Sequence, residues 1–385
     1  MKNLKKINNY KISIVILNWN SWKNTLECLK YLFRIKYLNF QIVIVDNASH
    51  DNSIHKIRDF IKNIPMDMVE YHENELRMAG ITSERAEKVK CGSNFNSIRD
   101  ANFFEKIYLI ENNENRGFAG GNNIGMDFSI QCLFPDYILL LNNDTKVDED
   151  FLDELLDVAQ NNDNLGSIQA LLLDENGLNI DSLGQECYWW GAEDICMGHP
   201  FKEVIIRNMG DIEIFGSCAA AVMYPVGVLN KTGLFDTDFF VELEDVDLSW
   251  RIRLMGYQSY LARNSIVYHK RGVSGTITTV DLVKGLKNKS MIDKWYHQSK
   301  NWFLIVLRYY PPSVVVKAVF RYPHKVIFTF FRLIYSSLLM GRTRETFKIL
   351  LDNLKTRKKL KKNPRWGETG QKWIKTGPKK CKINK

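Results

Sequence analysis

The chain lacks the cysteine spacings of a metal ribbon or a disulfide scaffold. Its seven cysteines (Cys28, Cys91, Cys132, Cys187, Cys196, Cys218 and Cys381) include no C-x-x-C pair, and their number is odd. Reduced thiols are the expectation from that pattern. The first residues, Met1 to Lys11, lack the apolar core of a secretory signal and run straight into a strand pattern, so the chain reads as cytoplasmic. No internal repeat and no low-complexity linker occurs before residue 350. The 385 residues therefore read as one large domain with appendages, or as two domains. The glycine-rich stretch Gly117 to Gly125 fits neither G-x-G-x-x-G nor G-x-x-x-x-G-K-[ST]. That counts against a standard dinucleotide fingerprint and a P-loop.

What is present is an ordinary globular composition, 45% apolar and 25% charged, with many aromatics: 9 Trp, 16 Tyr and 21 Phe. Such aromatics suit carbohydrate stacking or a membrane interface, and composition does not choose between them. The net charge of +9 is unevenly spread. Lys355 to Lys385 holds 13 Lys/Arg against one acid, Glu368, a net +12 that leaves the rest at −3. The basicity is thus a tail, suited to anionic lipid or nucleic acid, or simply solvated.

The most informative segment is Tyr137-Ile-Leu-Leu-Leu-Asn-Asn-Asp144. An unbroken apolar run entering two amides and a carboxylate reads as a strand buried on both faces, with its polar end at a ligand crevice. A carboxylate there suits a divalent metal held against a phosphate. Around it, Lys11 to Asn18 and Phe40 to Val45 read as strands, separated by a helix over Ser21 to Phe33 and followed by one over Asn52 to Ile64. That is a βαβ unit of a parallel sheet. Further strands are expected at Ile107–Ile110, Ile168–Leu173, Ile214–Met223 and Gln258–Tyr268. Helices are expected around Asn123–Leu133, over Asp150–Asn161 and within Phe239–Met255. Residues 66–105 read as a partly helical insertion.

From Tyr296 onward the character changes. Trp302 to Tyr310 is apolar and aromatic, Pro311-Pro312 breaks it, and Ser313 to Met340 is apolar with Lys317, Arg321, Lys325 and Arg332. On one helix those four fall within roughly 80° of each other. The stripe argues against a spanning helix and suits one lying in a membrane interface, or a subdomain packed on the body with its basic stripe in water. Pro323 is expected to kink it.

Several residues carry potential chemistry. Asp46 ends the second strand and suits a ribose hydroxyl or base N–H, while Asp51 and Asn52 look like helix caps. Asn115-Arg-Gly-Phe-Ala-Gly-Gly-Asn-Asn-Ile-Gly125 offers close backbone approach and helix N–H groups for phosphate, or only a tight turn; Arg116 suits a diphosphate. Glu242, Glu244, Asp245 and Asp247 crowd into six residues, which raises at least one pKa and suits a general base. A solvated acidic helix start, with Arg251 paired to Asp247, is the plainer reading. His269, at a strand end, suits a metal ligand, and Lys270 and Arg271 suit phosphate. Trp189-Trp190 suits an acceptor wall or core packing equally.

In order, Ile14-Val-Ile-Leu-Asn-Trp-Asn20, Asp46-Asn-Ala-Ser-x-Asp51, Asn115-x-Gly-Phe-Ala-x-Gly-Asn122, Leu140-Leu-Asn-Asn-Asp144, Glu244-Asp-Val-Asp-Leu-x-x-Arg251 and His269-x-x-Gly-x-Ser274 resemble family 2 glycosyltransferases, in particular the rhamnosyltransferase-like branch, over residues 12 to 275. The resemblance implies an α/β GT-A fold: a mixed, mostly parallel sheet flanked by helices, with a C-terminal helical extension. With the tail and helical region read above, the chain is expected to divide into a transferase domain over 1–285 with an insertion at about 66–105, an amphipathic helical region over 286–350 and a basic tail over 351–385. The resemblance implies an inverting transfer from dTDP-rhamnose or a UDP-sugar to a saccharide or lipid-linked acceptor in cell-surface polysaccharide synthesis. The alternative is a sugar-nucleotide nucleotidyltransferase.

The implied roles are Asp245 as catalytic base and Asp144 with His269 as ligands of Mg2+ or Mn2+. Asn18, Asn20, Asp46, Asn47, Arg116, Gly117, Gly121, Asn122, Asn143, Glu244 and Arg251 are the implied nucleotide-sugar contacts. The first acid of the usual Asp-x-Asp pair is Asn142 here, leaving one carboxylate for the metal. No nucleic acid is expected as a partner. The C-terminal helices and tail are expected to meet an anionic membrane at the inner face of the cytoplasmic membrane.

Overall fold

A computed structural model describes residues 9–64, 66–78, 106–188, 191–202, 212–271 and 289–375. In it the apolar runs become one large mixed sheet. Strand β1 (Ile12–Asn18) is followed by helix α1 (Trp22–Leu32), β2 (Phe40–Asp46), α2 (Ser53–Lys62), β3 (Asp67–His72), α3 (Glu73–Met78), β4 (Lys106–Glu111), α4 (Gly117–Phe128) and β5 (Tyr137–Leu141). These five strands pair in parallel. Alternate residues serve opposite faces: Ile12, Ile14 and Ile16 enter one core and Val15 the other. Both faces are covered, so the runs are almost wholly apolar, and the buried Ser13 and Gln41 of β1 and β2 pair with each other.

The chain continues through β6 (Thr145–Val147), α5 (Phe151–Gln160), β7 (Leu165–Asp174), β8 (Ile180–Ser182), β9 (Gln185–Tyr188), β10 (Gly191–Asp194), β11 (Ile212–Ile214), β12 (Ala221–Pro225), α6 (Val226–Thr232), α7 (Glu244–Leu254) and β13 (Gln258–His269). The sheet order is β11-β13-β7-β12-β5-β1-β2-β4-β3, with β12 antiparallel to both its neighbours. From β1 the chain builds to one side through β2 and to the other through β5. Such a reversal opens a crevice at the carboxyl ends of the strands. Asn18, Asp46 and Asn142 to Asp144 stand there.

Helices α8 (Lys289–Tyr309), α9 (Pro312–Arg321), α10 (Pro323–Leu339), α11 (Thr343–Leu360) and α12 (Trp366–Trp373) complete the described chain with β14 (Ile374–Lys375). Tyr309 stacks on Trp250 of α7 with ring centroids 5.2 Å apart, and both join a core with Phe239, Leu304 and Trp366. Among the described residues, no helix is long and apolar enough to cross a membrane.

Several expectations change. Residues 67–72 form the edge strand of the main sheet, paired with β4, rather than part of an insertion; residues 79–105 lie outside the description. Ile214–Met223 is two strands with a turn between, because Gly216 to Ala220 leaves the ladder. Pro323 does not kink a helix but starts one, at its first position, where its missing N–H costs nothing. The break at Tyr322 also dissolves the single basic stripe. Lys317, Arg321 and Lys325 are exposed, while Arg332 turns inward onto the Trp295 ring and Gln298.

The basic tail is folded through residue 375. Trp366 Nε1 donates to the Arg308 carbonyl at 3.0 Å, Arg357 donates to the carbonyls of Leu307 and Tyr310, and β14 pairs with β9. Cys28, Cys132, Cys187 and Cys218 are free thiols.

The glycines expected in a turn before Asn123 sit inside α4, which begins at Gly117. They let the helix lie close on the sheet: a Cβ on Gly125 would stand 2.5 Å from Val15 Cγ1, and one on Gly121 2.5 Å from Leu17 Cδ1. A Gly125→Val substitution is expected to lower stability by about 1–3 kcal/mol through overpacking, read from the urea midpoint.

Candidate active site

The carboxyl ends of β1, β2 and β5 are tied together by side-chain amides. Asn18 Nδ2 donates to Asp46 Oδ1 at 2.7 Å, and Asn18 Oδ1 accepts from Thr25 Oγ1 at 2.7 Å. Asn143 Nδ2 reaches Thr25 Oγ1 at 3.0 Å. Asp46 is buried and also accepts from the Ser49 N–H and hydroxyl. Asn20, with φ 49°, accepts from the backbone N–H groups of His50 and Asp51, shaping the loop after β2. Asn47 staples the next loop: its Nδ2 donates to Asn115 Oδ1 and the Gly117 carbonyl, and its Oδ1 accepts from Asn112 and the Arg116 N–H.

Beside these ends opens a cavity of about 1140 Å3, whose lining includes Asn142, Asp144, Gln185, Glu244, Asp245 and His269. Strand β13 ends at His269, which packs next to β5's extension because β6 pairs with β13. His269 Nε2 lies 3.2 Å from Asp144 Oδ1, and its Nδ1 lies 2.9 Å from Asp181 Oδ2. Burial would lower the His269 pKa, but the two carboxylates outweigh it and hold the value up at about 9. A carboxylate on the far ring nitrogen is the arrangement that fixes an imidazole for a metal. Among the described residues no group of three or more His, Cys, Asp or Glu converges on a metal position. Asp144 and His269 are therefore an open pair, which fits a Mg2+ or Mn2+ ion whose remaining ligands are phosphate oxygens and waters.

Asp245 stands in the first turn of α7. Gln185 Nε2 and the Ala219 N–H donate to its Oδ2 at 2.8 and 3.0 Å, and the Val246 N–H donates to its Oδ1. Burial lifts its pKa to about 6 despite these bonds. Glu244 is pushed well up, by burial and then by the Asp245 charge, and its Oε2 finds no hydrogen-bond partner among the described residues. One turn on, Asp247 is fully buried yet has a lowered pKa, because Arg251 and Arg308 overcome its burial.

The structure brings Asp144, His269, Glu244 and Asp245 onto one cavity and gives other expected contacts supporting tasks. Arg251 does not line the cavity; it holds Asp247 at 2.8 Å and the Thr232 carbonyl. Arg116 pairs with the buried Glu73, Asn122 donates to the Phe118 carbonyl inside α4, and Arg271 is clasped by Asp181 and Asp194. None of these is a free phosphate ligand in this state. Gly117, with φ 69°, is needed because a Cβ there would lie 2.4 Å from the Phe240 carbonyl oxygen. Asp181 and Gln185 were not foreseen: each lies in a short strand with no motif around it. Trp189-Trp190 and Gly272 to Ser274 fall outside the described residues.

With this geometry in place, comparison with known proteins is informative. Residues 13–80 match the model of glycosyl transferase family 2. The chain is 26% identical over 151 residues to the low-salt glycan biosynthesis hexosyltransferase Agl10 of Haloferax volcanii, covering 39% of this chain and 47% of that one. It thus spans about half the length of that relative. It is 22% identical over 277 residues to glycosyltransferase GlyG of Streptococcus pneumoniae, covering 70% and 74% of the two chains. Among solved structures, a mannosyltransferase of Pyrobaculum calidifontis in complex with GDP-Man and Mn2+ aligns at TM-score 0.48 and 12% identity, over 91% of this chain and 85% of that one. The sheet itself is mixed, with a parallel run from β5 through β1, β2 and β4 to β3 and an antiparallel β12. The matched segment, 13–80, ends before Asp144, Asp245 and His269, so those residues stand on the geometry alone.

If Asp181 orients His269, Asp181→Asn should bring the His269 pKa down from about 9 toward the ordinary imidazole value, read by NMR titration of the metal-free protein.

Proposed function

We propose that the chain is an inverting, metal-dependent glycosyltransferase that moves a sugar from a nucleotide-diphospho-sugar, dTDP-rhamnose or a UDP-sugar, to a hydroxyl of a saccharide acceptor, free or lipid-linked, in cell-surface polysaccharide synthesis. The observation that carries this reading is that Asp144 and His269 share one cavity with a buried carboxylate, Asp245, whose pKa is about 6. In this reading the transferase domain is residues 1–285, and the helices beyond it serve the acceptor side and a membrane.

Asp46 and Asn18 form the nucleoside end of the site, at the carboxyl ends of β2 and β1. Asp144 and His269 would hold Mg2+ or Mn2+, which when bound supplies positive charge to the diphosphate leaving group. Asp245 is deprotonated at neutral pH and takes the proton from the acceptor hydroxyl as that oxygen attacks the anomeric carbon. Attack from the face opposite the diphosphate inverts configuration, and no covalent intermediate is needed.

The membrane part of the proposal rests on α9, α10 and α11. Phe320 is 83% exposed, and Ile327, Phe331, Leu338 and Phe347 also face outward, while residues 312–339 contain no acid. A large apolar face bordered by Lys317, Arg321 and Lys325 suits an anionic bilayer surface.

Incubation with Mn2+ and a panel of nucleotide-sugars should release nucleoside diphosphate; release of pyrophosphate from sugar phosphate and NTP would instead make the enzyme a nucleotidyltransferase. Asp245→Asn should cut kcat by about 10²–10⁴, and Asp144→Ala should cost far more activity than Asn142→Ala. The rate should fall as pH drops below about 6, where Asp245 takes up its proton. Gln185→Leu should move that acid limb upward, since Gln185 favours the charged form. In co-sedimentation with anionic vesicles, the double substitution Phe320→Ser and Phe331→Ser should weaken binding; unchanged binding would remove the membrane role of this face.

A further inference from the structure

The segment that leads into Glu244 and Asp245 follows a path its residues do not favour. Phe240, Glu242 and Leu243 have φ of 62°, 74° and 68°, a region that residues with side chains rarely enter. No glycine stands among them to relieve it. Such a path persists only where neighbours impose it, and here the neighbours come from a different part of the chain.

Helix α8 supplies most of the grip. Asn301 is fully buried, and its amide nitrogen lies within donating distance of three carbonyls, those of Phe239 (2.9 Å), Val241 (2.8 Å) and Glu242 (2.6 Å). Two N–H groups therefore serve three acceptors. Lys300, also buried, donates its ammonium to the Asp238 carbonyl. One turn earlier the His297 ring stacks on Phe240 with centroids 4.9 Å apart, and Gln298 Nε2 stands 3.5 Å from Glu242 Oε1. From the opposite side, the Ala119 N–H of α4 donates to the Phe240 carbonyl at 3.0 Å. The segment is thus pinned between α4 and α8. Leu243, in the left-handed region, is the residue from which α7 starts, and its carbonyl accepts from the Asp247 N–H.

We propose that Lys300 and Asn301 are positioning residues for sugar transfer: they hold residues 238–243 in the left-handed path that starts α7 at Glu244, and so fix the Asp245 carboxylate against the cavity. The inference rests on the reading of Asp245 as the base. A purely structural asparagine is a poor choice at this position. Asn301 Oδ1 has no hydrogen-bond partner among the described residues, a cost that a leucine would not carry. What leucine cannot do is hold the three carbonyls.

The test uses the full chain. Asn301→Leu keeps the side chain's size and removes its donors. With the base misplaced, kcat for transfer is expected to fall by about 10², with the donor KM and the affinity for UDP or dTDP in Mn2+ unchanged within about twofold. Hydrogen exchange of the 239–243 amides should rise while that of β1, β2 and β5 stays as in the wild type. Should Asn301→Leu fail to fold, Lys300→Met decides, with the same split expected at smaller size. A variant with wild-type kcat overturns the proposal, as does one that loses nucleotide affinity in step with kcat, since that reports general damage. Asp245→Asn is run alongside. If it transfers sugar as fast as the wild type, the base assignment and this inference fall together. If it is inactive while Asn301→Leu is fully active, only the positioning role falls.

Discussion

The buried carboxylate of Asp247 is the interaction on which the two halves of the molecule depend. Its Oδ1 takes Arg308 at 2.7 Å and the Tyr309 hydroxyl at 2.7 Å, both from α8, while its Oδ2 takes Arg251 from its own helix. Removing one cation leaves the other on the carboxylate, whereas removing both would strand a charge in the core, a loss of about 3–5 kcal/mol in comparable buried pairs. The pairing joins the C-terminal helices to the helix that bears Glu244 and Asp245. It also divides labour along one helical turn. Asp247, given two guanidinium groups, stays ionised and structural; Asp245 and Glu244, with no guanidinium against them, have their pKa values raised by burial. Composition alone would treat the three acids as equivalent.

This contrast shows where the sequence was readable. Strands such as Ile12–Asn18, Phe40–Asp46 and Tyr137–Leu141 are buried on both faces, so their pattern is local and their polar ends mark the crevice. The resemblance implied Asp144 and His269 as one pair, and they lie 3.2 Å apart. What stayed hidden depends on distant packing. The glycines of 117–125 look like a flexible turn until Val15, Leu17 and Val45 are seen against them. Arg116 and Arg251 look available to a phosphate until Glu73 and Asp247 occupy them. Residues 355–375 look like a charged tail because lysine and arginine stems pack on aromatic rings, as Arg357 does on Trp366, while their charges dominate the composition.

A continuous set of contacts runs from the outward-facing helices to the segment before Asp245. Arg332 of α10 donates to Gln298 of α8, and Gln298 in turn reaches Glu242 beside the acid pair. The apolar face and the cavity thus share one helix between them, and an event at the face has a physical route, through packed side chains, to the segment before Asp245.

The pairing of β14 with β9 has a consequence in time. Ile374 and Lys375 lie beside Cys187 and Tyr188, and Lys375 pairs with Glu186, 189 positions earlier in the chain. Closing so long a loop carries a large entropic cost and comes late when contacts form in order of separation. Trp373 and Lys375 are nevertheless part of the cavity wall. The strands that would bind a nucleotide can settle from nearby sequence, whereas the wall at β9 waits for the far end of the described chain to return. During folding, the molecule would acquire the donor side of its site before its enclosure.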